Sequence, residues 1–280
     1  MRGIIFAGDS FTWGQGLYFY SDLDNKNLSD IKFNNFNLSN ITPAQIKYME
    51  STRFARLVAN EFNTFEVVKK YNGGTDYQSI EFIENTLGLK GEGDINRFLY
   101  PEQFKPMDFN FIIFQTSQSM RNPYKIIYDD KELIFENGVY NSSDSATFDI
   151  FYKWLKKSNI SFDDWYNSFI ISNITYIKNK LLFYESKFKI KTKLLCWTNE
   201  YFPHITNDTF LSNRLIKLNY NNLNFKSIID LMEFESEFEI SKNKKYFGNT
   251  PPNDNHSSLE CHKIIANSII ENIKNTKNIL

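Results

Sequence analysis

Two short stretches at opposite ends of the chain carry residue types suited to acyl transfer. Near the start, Gly8-Asp9-Ser10 directly follows an apolar run, Gly3-Ile4-Ile5-Phe6-Ala7. A serine hydroxyl is a poor nucleophile near neutral pH and needs an adjacent base. Near the end, Asp254-Asn255-His256 supplies an imidazole two residues after a carboxylate. A carboxylate so placed can lie against the ring and fix its tautomer, which leaves the other ring nitrogen to take the serine proton. Together they predict a triad of Ser10, Asp254 and His256 in the chain order Ser…Asp…His. Each half also has a plainer reading. Gly-Asp-Ser is an ordinary turn tripeptide, and Asp254 or Ser257 could simply cap the N–H groups that open a following helix.

Alternating strands and helices would have to hold these residues. Strands are expected over 3–7, 65–70, 109–114 and 193–197, with a weak fifth over 226–230. A helix starts at Thr42-Pro43, since proline suits the first turn. It continues through 53–62, where Phe54, Leu57, Val58 and Phe62 share a face. Further helices are expected over 79–87, 165–186 and 257–274, with loops over 21–40 and 250–254. Such alternation implies a mostly parallel sheet covered on both faces. Sites in such sheets lie beyond the carboxyl ends of the strands, here after Ala7, Lys70, Phe114 and Trp197. The stretch 122–164 interrupts the pattern, with a hairpin over 124–136 turning near Asp129-Asp130-Lys131. One domain, 1–280, with an insertion at about 122–164 is the simplest organisation.

Gly8-Asp9-Ser10 resembles the first block of the SGNH (GDSL) hydrolases. Asp254-Asn255-His256-Ser257-Ser258, followed by Glu260-Cys261-His262 and Ile265-Ala266, resembles their last block. The resemblance implies a three-layer α/β/α fold with a five-stranded parallel, flavodoxin-like sheet of order 2-1-3-4-5. It also implies an oxyanion hole built from the Ser10 amide, a glycine amide after the second strand and an Asn side chain after the third. In Tyr71-Asn72-Gly73-Gly74 the glycine is assigned to Gly74, in preference to Gly73. The third block departs from the family: the strand runs into Gln115-Thr116-Ser117-Gln118-Ser119-Met120-Arg121, with no Gly-x-Asn-Asp. Gln118 takes the Asn position, and its amide can donate the same bond. Thr116, Ser117 and Arg121 are rivals for that role. Asp9, Trp13, Asn72, Arg121, Trp197 and His204 are candidates for contact with substrate.

The remaining chemistry-bearing residues have quieter readings. His204 reads as a loop histidine and His262 as structural or surface, while Trp197 and Tyr201 suit a core as well as a cleft. Cys196 sits in a buried strand as a small inert filler. The charged run 233–245 reads as a solvated face. With 32 Lys+Arg against 33 Asp+Glu, no general basic field exists to hold nucleic acid. Two cysteines and three histidines leave no Cys-based zinc site and little room for a His-based one. The sequence has neither Gly-x-x-x-x-Gly-Lys nor Gly-x-Gly-x-x-Gly, so no nucleotide cofactor is expected. No cofactor of any kind is called for. No signal peptide and no membrane span are read from the sequence, so a soluble, cytoplasmic protein is expected. The functional expectation is a serine esterase acting through an acyl-enzyme on a small acyl ester. From the resemblance, O-acetyl groups on a carbohydrate are the favoured substrate. The alternatives are an acyltransferase using the same acyl-enzyme, or a binding or structural protein with a relic site.

Overall fold

The structure is a computed structural model, and it describes residues 2–9, 12, 14, 17, 42–69, 74–89, 104–135, 145–241 and 257–277. The chain begins with β1 (Gly3–Ala7), α1 (Pro43–Thr52), α2 (Phe54–Glu61), β2 (Glu66–Val68) and α3 (Asp76–Thr86). It continues with β3 (Phe109–Gln115), β4 (Tyr124–Tyr128), β5 (Lys131–Phe135), α4 (Ser145–Lys157), α5 (Phe162–Phe188) and β6 (Lys191–Leu195). After these come α6 (Phe202–Thr206), α7 (Thr209–Ser212), β7 (Leu218–Tyr220), β8 (Leu223–Phe225), α8 (Ile228–Ser241) and α9 (Leu259–Lys277).

A four-stranded parallel sheet of order β2-β1-β3-β6 forms the centre. In β1 the side chains alternate between two cores. Ile4 and Phe6 join α2, α8 and α9 on one face, and Ile5 and Ala7 join α3 and α5 on the other. All four are fully buried, each large one stabilising by about 1.5–3 kcal/mol. That is why β1 reads as an unbroken apolar run rather than an alternating one.

The four strands follow the expected order, but among the described residues no fifth strand joins them. The fifth position holds a single parallel bridge, Leu194 to Leu215, with Leu194 N donating to Arg214 O (2.9 Å) and Ile216 N to Leu194 O (2.8 Å). Residues 226–230, expected as the strand, instead lead into α8. The Ser227 hydroxyl accepts from Asp230 N at 3.2 Å. The buried Ile228, Leu231 and Met232 follow helical spacing, so a cap and a 3.6-residue period override β-branched propensity.

The helix expected to continue through 53–62 is broken at Arg53, which is extended (φ −65°, ψ 148°). There its buried guanidinium reaches Glu66 on β2 at 3.2 Å. A capping box, Thr75 with Gln78, starts α3, and Ser161 caps α5 by accepting from Asp164 N. For α9 the cap is Ser258, whose Oγ accepts from Cys261 N at 3.0 Å. The cap is therefore Ser258 rather than Ser257, and Asp254 lies outside the described residues.

Within 122–164 the hairpin forms as expected. Its turn residues Asp129 (φ 50°) and Asp130 (φ 58°) are both left-handed, the geometry that matches strand twist in a two-residue turn. The hairpin, α4 and the start of α5 share a separate aromatic core that includes Tyr124, Phe135, Phe151, Trp165 and Phe169. Among the described residues no helix is long and apolar enough to cross a membrane.

Candidate active site

The polypeptide leaves β1 through a turn that only glycine permits. A Cβ on Gly8 would lie 2.2 Å from Thr12 Oγ1 and 2.9 Å from Gln115 Cβ. Thr12 N donates to Asp9 O at 3.1 Å, closing the turn. The Asp9 carboxylate is buried, 1% exposed. It accepts from Gln115 Nε2 at 2.6 Å, and its other oxygen lies 3.6 Å from Arg121 Nη1. Gln115 Oε1 in turn accepts from Thr12 Oγ1 at 2.7 Å. Asp9 thus fixes the path on either side of residue 10. Ser10 itself lies outside the described residues, as do Trp13, Asn72, Gly73, Asp254 and His256 and the expected loops at 21–40 and 250–254.

Beside this turn, at the end of β2, Lys69 is buried. Its Nζ donates to Ser79 Oγ at 3.3 Å, and Ser79 Oγ donates to Gly8 O at 3.3 Å. Burial pushes the Lys69 ammonium down to about 8, against the pull of Asp9, Asp76 and Glu81. Gly74 packs on that ammonium so closely that a Cβ would lie 2.3 Å from Nζ. A side chain here would make the Lys69 ammonium move aside, and the contact places the Gly74 backbone at the same end of the sheet as Gly8.

The segment after β3 is fastened to the first turn of α3 by Asp76. One carboxylate oxygen accepts from Ser117 N at 2.7 Å. The other accepts from Asn122 Nδ2 at 2.7 Å and from the Tyr201 hydroxyl at 2.9 Å. Asp76 N donates back to Asn122 Oδ1 at 2.8 Å. Full burial pushes Asp76 up to about 6 despite these bonds. The rivals of Gln118 are occupied differently. Thr116 Oγ1 accepts from Trp197 N at 3.3 Å, and Ser117 Oγ donates to Gln118 O at 3.4 Å. Gln118 is half-buried. The Arg121 guanidinium lies over the Trp197 ring, 4.5 Å from its centroid, with its side chain 26% exposed. Gln118 and Arg121 are therefore the partly exposed polar side chains of this loop.

The start of α9 reaches the same end through His262. Its Nδ1 accepts from Phe54 N at 3.2 Å, and its ring stacks on Phe54 with centroids 5.5 Å apart. Phe54 packs edge-on against Phe6 of β1 at 6.0 Å. The neighbouring Arg53 touches the chain that follows Ser10, for a Cβ on Gly14 would meet Arg53 Cβ at 2.9 Å. Ser257, the residue after His256, is buried and donates to Met232 Sδ at 3.4 Å. Met232 lies one turn into α8, whose first amides, Ile228 and Ile229, donate to the Cys196 and Trp197 carbonyls just past β6. The chain flanking His256 and the chain flanking Ser10 therefore meet one end of one sheet.

No family model matches the sequence, and no curated protein matches it. Among solved structures the chain is similar to an active-site mutant of a family two carbohydrate esterase from Clostridium thermocellum in complex with celluohexase. The identity is 12% and the TM-score 0.41. The match covers 100% of this chain and 65% of that one, so the chain spans less than two thirds of that protein's length.

The other expected residues are placed as follows. Trp197 and Tyr201 are buried, and Tyr201 serves the Asp76 network. His204 is half-buried on the short helix α6 rather than in a loop. Burial, aided by Asp76, pushes the Cys196 thiol up to about 12, so it is no nucleophile. Among the described residues no group of His, Cys, Asp or Glu is arranged to hold a metal ion. Lys69, Asp76, Gln115 and Asn122 were not singled out by the sequence. The one local signal was Asp76 itself, an acid directly after the capping Thr75, where a carboxylate suits a helix start.

Proposed function

We propose that the protein is a serine ester hydrolase whose nucleophile is Ser10, with His256 as general base and Asp254 orienting the imidazole. The observation that carries this reading is the convergence on one sheet end of the Gly8-Asp9 turn, Gly74 and the His262-anchored start of α9. In this account Ser10 Oγ attacks the ester carbonyl while His256 takes its proton. The oxyanion that forms is held by the Ser10 and Gly74 amides, with the Gln118 amide as third donor. Collapse expels the alcohol, protonated by His256. Water then attacks the acyl-enzyme by the same route, releasing the acid and restoring Ser10. Asp9, Gln115 and Asp76 act by holding the loops that carry these groups. The substrate class is a small acyl ester, and an O-acetyl group on a carbohydrate is the form that the family resemblance favours.

Turnover of 4-nitrophenyl acetate and of an acetylated oligosaccharide tests the reading. Ser10→Ala or His256→Ala should lower kcat/KM by about 10⁴-fold or more. Activity should fall on acidification, because a charged imidazole cannot accept a proton. A rate that stays flat from about pH 5 to 8 contradicts the assigned base. Acyl transfer to an added oligosaccharide in preference to water would instead make the enzyme an acyltransferase. A folded protein with no turnover would make the site a relic.

A further inference from the structure

The other end of the sheet carries a second concave feature. A cleft of about 450 Å³ opens along the start of β6, with Glu185, Lys189, Lys191, Lys193 and Arg214 in its walls. Its one carboxylate is already committed. Glu185 Oε1 accepts from Thr192 N (3.0 Å), Thr192 Oγ1 (2.6 Å) and Arg214 Nε (2.8 Å), and Oε2 pairs with Arg214 Nη2. Burial opposes ionisation of Glu185, but the bonds from Arg214 and Thr192 hold it below the usual carboxylate range. Glu185 and Arg214 therefore cancel. The side chains of the three lysines form no ion pair or hydrogen bond among the described residues.

Edge protection explains part of this pattern. Among the described residues, the outer edge of β6 has no strand beside it beyond the Leu194–Leu215 bridge, and lysines discourage a foreign strand from pairing there. That role requires the ammonium to stay in water. Lys189 and Lys191 do so at least in part; Lys193 is only 6% exposed as a whole residue, its stem covered and its side chain lining the cleft. A partly desolvated ammonium is stabilised by a counter-charge. Burial and the nearby Arg214 both weaken proton binding by Lys193; Glu185 opposes this and Lys191 adds to it. The group that would complete this arrangement is an anion.

We propose that this cleft binds a small phosphate-bearing molecule, with Lys193 at its floor and Lys189 and Lys191 at its rim. Three lysine charges against no free carboxylate favour a ligand with two or more negative charges. Ammonium groups recognise phosphate as point charges, and among the described residues the cleft has no aromatic wall on which a base could stack. The site lies along the start of β6 and does not depend on the hydrolase reading.

Calorimetric titration of the whole chain with inorganic pyrophosphate and inorganic phosphate, at constant ionic strength, tests the proposal. One saturable site is expected, with pyrophosphate the tighter ligand and binding weakened by added salt. Lys193→Met and Lys191→Ala should each weaken pyrophosphate binding about tenfold or more, while Lys125→Ala on the hairpin leaves it unchanged. Without ligand, Lys193→Met should melt no lower than the wild type, since it keeps the packing of the covered stem and removes a partly desolvated charge. Absence of saturable binding, or unchanged binding in Lys191→Ala, overturns the proposal. Because Lys191 is half-exposed, its variant decides the matter even if the buried substitution does not fold.

Discussion

The two ends of the central sheet use charge in opposite ways. At the carboxyl end, Asp9, Lys69, Asp76 and Arg121 are drawn into a network with Gln115, Asn122, Ser79 and Tyr201; Asp76 accepts from three donors, and Asp9 accepts from Gln115 with Arg121 beside it. At the amino end, one carboxylate is matched by one arginine, and three lysines remain over. The difference separates two uses of polar residues. Charges satisfied by one another build a rigid frame, and their own reactivity is spent in doing so. Charges left over are where a ligand can be recognised. The frame at the carboxyl end holds the loops around residue 10 and leaves Gln118 and Arg121 facing outward.

The largest effect is expected from breaking the frame. Asp76→Ala strips the acceptor from Ser117 N, Asn122 Nδ2 and the Tyr201 hydroxyl together, and should cost about 3–5 kcal/mol in denaturant unfolding. Lys193→Met at the other end should cost nothing comparable. Equal losses at both ends would erase the contrast.

The next effect concerns pH. Asp76 rises to about 6 in the fold, against about 3.9 in an unfolded chain. The folded state therefore holds this proton more tightly. The stability it contributes is fully present below about pH 4 and is lost as pH rises through about 6. Relative to Asp76→Asn, the wild type should lose on the order of 2–3 kcal/mol between about pH 4 and 7. Parallel stability curves for the two proteins would show that burial does not govern this carboxyl group.

A smaller effect is expected from His262→Phe. The ring contact with Phe54 survives, but Phe54 N loses its acceptor, at about 1–3 kcal/mol. If His262 anchors the start of α9, ester turnover should fall by more than the substrate affinity does. Unchanged turnover at reduced stability would confine His262 to packing.

Much of the frame was legible because it is local. The continuous apolar runs of β1 and β3, the Asp129-Asp130 turn and the helix start at Thr42-Pro43 each carry their signal within a few residues. What escaped depends on partners far apart in the chain. The break at Arg53 is tied to Glu66 on a neighbouring strand. The 226–230 segment has strand-like residues, but Ser227 and the later Leu231 and Met232 turn it into a helix. The Asp76 network joins positions 76, 117, 122 and 201, which no periodicity links. Asp9 was read as a candidate for substrate contact from its place in Gly8-Asp9-Ser10, whereas the fold buries it against Gln115 and Arg121. Reading the motif revealed which residues belong to the turn but not which way each one faces.

Labelling of the folded protein with a fluorophosphonate, followed by mass spectrometry to locate the adduct, bears most directly on the chemistry assigned to the carboxyl end. One adduct on Ser10, lost in Ser10→Ala and strongly slowed in His256→Ala, is the predicted result. An adduct on another serine, or no adduct on folded protein, would contradict the account.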